Sequence, residues 1–137
     1  MIPTNIPLMI VPFIIYNIVV IYSGGTGIDV WQQEVLTVPM ISGVDWVMTL
    51  GDLMITLALF LLFFEIMKST RIGAHSIIDH LLSTFVFIAF LVEFLLVRSA
   101  AHAVFFILMI ITLVDVIAGF SVSIRSASRD VNVGDGF

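Results

Sequence analysis

The chain has 137 residues, of which 61% are hydrophobic and only 11% charged, with a mean hydropathy of +1.22 and a formal net charge of −5. A soluble domain carries about 25% charged side chains, so this composition points to lipid rather than water as the main solvent. The acidic balance excludes nucleic acid as a partner. The absence of cysteine excludes disulfides, thiolate metal sites and thiol catalysis.

In chain order, the hydropathy pattern predicts an all-α, polytopic transmembrane helical bundle forming a single membrane domain over 1–137. Four spans are expected, at about 6–22, 46–67, 77–97 and 103–124. The first contains no charged side chain and lacks the basic region of a cleaved leader, so it reads as a retained span. Pro12 sits inside it and predicts a kink. No lipidation motif is present, since position 2 is Ile2 and there is no cysteine. An outer connector follows over 23–45, opening with Gly24, Gly25 and Gly27 in a turn. Within it Ile28, Trp31 and Val35 share one helical side, which predicts a short interfacial helix with Trp31 at headgroup level, an ordinary loop being the alternative. Lys68 to Gly73 is a basic turn, and the link Arg98 to His102 is short enough to make the third and fourth spans antiparallel neighbours. The tail over 125–137 reads as loose. Lys68, Arg71, Arg125 and Arg129 fall on one side and Arg98 alone on the other, so both termini are expected in the cytoplasm.

Charged groups within spans are costly and turn toward the bundle interior. Asp45, Thr49, Asp52 and Thr56 form a stripe on the second span, and His75, Asp79, Ser83 and Glu93 share a face of the third. Helical rise brings Asn17, Asp52 and Glu93 to similar depth, an outer polar layer with Arg98 and His102 above it. Asp115 lies deeper, with Thr56, Ser83 and Thr84 as candidate hydrogen-bond partners. An isolated carboxylate there is expensive, so Asp115 is expected to be protonated or paired. Ala118 and Gly119 beside it suit close helix packing. Two readings of this network of Asn17, Asp52, Glu93, Arg98 and Asp115 stand: a structural layer fixing helix register, with Arg98 on Glu93, or an ion or proton path.

His75, Asp79 and His80 do not converge as metal ligands, because His80 points about 100° from the other two, and a His75–Asp79 pair is expected instead. The histidines lie at opposite ends of the spans, which argues against haem. No motif for a catalytic serine, a metalloprotease or a phosphate loop occurs, so neither enzymatic activity nor a cofactor is expected.

Two stretches, Ser76 to Leu95 around Asp79-His80 and Glu93, and Leu113 to Arg125 around Asp115, with Arg129-Asp130, resemble a group of small four-helix inner-membrane proteins of proteobacteria. The resemblance covers roughly the last two spans. It implies a bacterial inner-membrane location and brings no activity with it. The expected function is therefore a non-enzymatic structural or accessory subunit, with the lipid bilayer and other membrane subunits, or copies of itself, as partners. A small proton or cation transporter using the buried carboxylates is the alternative.

Overall fold

The computed structural model describes residues 6–24, 29–68 and 74–135. The architecture is mostly helical: α1 (Ile10–Tyr22), a hairpin of β1 (Glu34–Pro39) and β2 (Asp45–Thr49), then α2 (Leu50–Lys68), α3 (Ala74–Leu96) and α4 (Ala103–Asp135). Three helices carry segments long and apolar enough to cross a membrane: Leu50–Lys68, Ile77–Leu96 and Ala103–Val122. α4 packs along both α2 and α3, and α1 is laid against α2 and α4. Phe13 of α1 also meets Phe90 of α3 edge-on, with ring centroids 4.9 Å apart.

The core follows from where the helices present their bulk. Phe90, Phe105, Leu108 and Tyr16 are fully buried. α2 contributes Gly51, Met54, Ala58 and Glu65 to the interior, a face of mostly small or flexible residues that lets α4 approach. Its opposite side exposes Leu53, Leu57, Phe60, Phe63 and Phe64. Apolar side chains therefore point outward as well as inward. Soluble monomers rarely expose so continuous an apolar exterior.

Three expectations need correction. The first apolar segment forms a helix of 13 residues, about 20 Å long, shorter than the roughly 30 Å of a hydrocarbon core, so a four-span reading is not met by length. Its start is set by Pro12, which is the third helical residue. In a first turn the missing N–H has no partner to lose, so the proline begins the helix instead of kinking it.

Among its described residues the connector holds no interfacial helix. Val30–Gln32 is a single 3-10 turn, capped by Asp29, and the chain then enters the hairpin. Val35, Thr37, Val38, Val44 and Val47 favour the pleated backbone. Gly43, at φ +93°, closes the turn: its N–H donates to the Met40 carbonyl at 3.0 Å, and the Met40 N–H donates to the Val44 carbonyl at 2.9 Å. β2 thus takes residues that the second span was expected to begin with, and α2 starts at Leu50.

Finally, α4 runs on to Asp135, past the point where the tail was expected to loosen. No residue between Ser121 and Val133 is a glycine or proline, so nothing local stops the helix. The basic turn around Arg71 and the glycines at 25 and 27 lie outside the described residues.

Candidate functional site

The polar side chains gather at two levels, one near Lys68 and one near Trp31. At the Lys68 end the helices bring Glu65 from α2, Asp79, His80 and Ser83 from α3, and Asp115 from α4 into the interior, each at most 5% exposed. Helical rise explains the meeting. Glu65 lies about 22 Å along α2 from Leu50, Asp115 about 18 Å along α4 from Ala103, and Asp79 near the start of the antiparallel α3.

Lys68 is the hub. Its Nζ lies 3.1 Å from Glu65 Oε1 and 3.3 Å from Asp79 Oδ1, and it donates to the Ile6 carbonyl at 2.8 Å. The Glu65 Oε1 contact is an ion pair without hydrogen-bond alignment. Glu65 Oε2 accepts the backbone N–H of Leu8. That amide precedes α1 and has no helical partner, so Glu65 caps α1 from a neighbouring helix, where a negative charge also meets the positive end of the helix dipole. The pair Glu65–Lys68 therefore clamps the entry of α1 onto the end of α2.

Asp115 is held differently. Ser83 hydrogen-bonds it, and Glu65, Asp79 and Lys68 lie within electrostatic reach. Its Oδ2 has no partner. His80 is tilted against the Phe120 ring with centroids 4.6 Å apart. Thr112, one turn above Asp115, is buried and turns its hydroxyl to the Leu108 carbonyl.

At the other end Trp31 is buried within the protein, 3% exposed and stacked on Tyr16 with ring centroids 4.7 Å apart. Tyr16 also meets Phe105 edge-on and donates its hydroxyl to the Ser99 carbonyl at 2.8 Å. Beside this stack His102 bridges two segments. Its Nδ1 accepts the Val104 N–H at 3.0 Å, and its Nε2 lies 2.7 Å from Asp29 Oδ2. An amide can only donate, so Nδ1 is unprotonated and the neutral ring donates through Nε2. Partial burial works against the charge on Asp29. The hydrogen bonds from His102 and from the Trp31 amide outweigh it and hold the carboxyl below its ordinary value of 3.8.

The expected outer layer forms only in part. Asn17 lies beside Glu93, and its Nδ2 donates to the Phe13 carbonyl one turn back at 2.9 Å. Asp52 is exposed and takes no part. It accepts the Thr49 N–H at 3.1 Å while its own N–H donates to Thr49 Oγ1 at 3.1 Å, a reciprocal cap on α2. Arg98 is exposed, and among the described residues no ion pair joins it to Glu93. Asp115 belongs to the opposite end from Asn17 and Glu93. Of its expected partners only Ser83 reaches it, for Thr56 and Thr84 turn to the carbonyls of Asp52 and His80. Gly119 is buried and Ala118 half-buried, on α4. Asp79 pairs with Lys68; the side chain of His75 lies outside what is described.

Sequence reasoning missed Glu65, whose carboxylate meets both Lys68 and the Leu8 N–H. Its signal was an acid inside the apolar run 53–67, on the side of Gly51, Met54 and Ala58 and three residues before Lys68. Among the described residues no three acid or histidine side chains converge to hold a metal ion.

Fold and site together define a mostly helical chain with three potential membrane-crossing helices and a charged cluster sealed at one end. Comparison with protein-family models, with curated proteins and with solved structures finds no match for the chain.

Proposed function

We propose that the chain is a multi-pass protein of the bacterial inner membrane. Its role in this reading is that of a non-catalytic subunit that packs against other membrane proteins or further copies of itself. The observation that carries this reading is the outward face of α2. Thr56, Leu59, Phe60, Phe63 and Phe64 line an open apolar hollow of about 660 Å³ there, with almost no polar surface. Phe63 and Phe64 meet edge-on at 5.4 Å, which leaves a ridged surface suited to interlock with a second helix. The polar groups, by contrast, are spent on closing the fold: Glu65 ties the lead-in of α1 to α2, Asp52 caps α2, and Asn17 bonds back to the Phe13 carbonyl.

The cysteine-free sequence makes the test direct. A single cysteine at Phe63 is cross-linked in native membranes and compared with one at Ile117, an exposed apolar position on α4. A discrete adduct from Phe63→Cys and none from Ile117→Cys is expected. Equal, diffuse labelling at both positions overturns the packing role.

A proton or cation transporter is the second reading, and the unpaired oxygen of Asp115 is the feature in its favour. Against it stands the packing of Phe90 on α3 and Leu108 on α4, each at most 1% exposed, at helix positions between Asp115 and Glu93. Liposomes holding the protein are therefore expected to keep an imposed pH gradient. Dissipation that Asp115→Asn abolishes would favour transport.

The proposed orientation puts the Lys68 end in the cytoplasm, on the excess of Lys68, Arg71, Arg125 and Arg129 over Arg98. A reporter active only in the cytoplasm should work when fused at Phe137 and fail at Gln33.

A further inference from the structure

The groups facing Asp115 can be named element by element. α2 offers Glu65 and Lys68, and α3 offers Asp79, His80 and Ser83. The start of α1 brings only backbone, through Ile6 and Leu8. Three carboxyls therefore share one ammonium among the described residues. That ammonium pairs with Glu65 and Asp79 and donates to the Ile6 carbonyl. Among the described residues no ion pair reaches Asp115, which is 3% exposed and whose Oδ2 has no partner. A buried carboxylate so placed must be neutralised or accompanied by a cation. The side chains do not converge as a metal site requires, and Ser83 supplies a single hydroxyl. The smallest ligand that completes the site is a proton.

We propose that Asp115 is a proton-binding site. Its Oδ2 takes up one proton from water on the Lys68 side, with Glu65 and Asp79 as the neighbouring acids. Lys68, the half-buried member of the cluster, forms the lip through which the proton passes. Phe90 and Leu108 close the far side, so uptake and release are one-sided. No bond breaks in the protein; the proton adds to a carboxylate oxygen and leaves the same way. The site stands whether or not α2 has a partner.

Infrared spectroscopy of the purified chain in lipid nanodiscs at neutral pH tests this. A carboxylic-acid C=O band is expected, displaced by isotope-labelled aspartate, absent in Asp115→Asn and present in Asp52→Asn. Asparagine matches a protonated aspartic acid in shape, so the variant should fold. If it does not, persistence of the labelled band in Asp79→Asn and Asp52→Asn supports the site, and its loss in either overturns it. A wild-type spectrum without a labelled acid band, or a band that survives in Asp115→Asn, overturns it as well.

Discussion

At the Trp31 end the helices are held by rings: Tyr16 stacks on Trp31, Phe105 meets Tyr16 edge-on, and Gly51 lets the Trp31 backbone come close. At the Lys68 end they are held by charge: Lys68 bridges α2, α3 and the entry to α1, and Glu65 caps that entry. Each aromatic pair adds about 0.5–1.5 kcal/mol beyond the area it buries. A buried ion pair gains little net energy, because desolvation offsets the attraction, yet removing one partner is costly. The aromatic end thus supplies cohesion, while the charged end penalises any other placement of α1.

The largest effect should come from the aromatic end. Trp31→Ala removes a buried ring that stacks on Tyr16, and should cost about 4 kcal/mol. The measurement is the temperature at which the protein loses its monodisperse elution peak in detergent. Next comes Lys68→Met, which strands Glu65 and Asp79 and should cost about 3 kcal/mol. The double variant Lys68→Met with Glu65→Gln should lose less than Lys68→Met alone. If the double variant were the worse of the two, the charged end would be supplying cohesion and the contrast would collapse.

Gly51 sharpens the comparison at a smaller scale. A Cβ there would sit 2.8 Å from Val104 Cγ2 and 3.1 Å from the Trp31 carbonyl oxygen. The valine methyl can rotate away, but the carbonyl is backbone and cannot. Gly51→Ala should therefore cost about 2 kcal/mol. Val104→Ala added to it should recover only part of that loss, read on the same elution assay.

How much of this was legible in the sequence depends on which residues carry the signal. The three long helices were, because their apolar runs exceed what a buried soluble helix needs. The hairpin was not. Residues 46–48 are as apolar as the helix that follows, and hydropathy cannot tell a strand from a helix start. The β-branched Val35, Thr37 and Val38, with Ser42-Gly43, were the better guide. Helical geometry placed Glu93 level with Asn17 and named Ser83 for Asp115, and each pair lies within electrostatic reach. It failed for Asp52, whose partner is Thr49 three residues away: a local cap competes with any distant network. It also could not anticipate Trp31, since ring stacking on Tyr16 depends on how α1 is laid against α4, which no periodicity encodes.

The smallest effect concerns the Asp29–His102 bridge beside the aromatic stack. The folded carboxyl of Asp29 is held below its ordinary 3.8, so the stabilisation it gives is complete at about pH 5 and above. It drains away as pH falls through 3.8 and then through the lower folded value, where the unfolded chain takes up the proton first. The side chain is 37% exposed, so solvent screening limits the contribution to under about 1 kcal/mol. Melting midpoints of wild type and Asp29→Asn should therefore differ at pH 6 by a small margin that closes toward about pH 3. Every other carboxyl is common to both chains and cancels in the difference. A gap that stayed constant across this range would mean that the bridge acts through the shape of the 29–31 turn and not through charge. The aromatic end would then hold together without any electrostatic help.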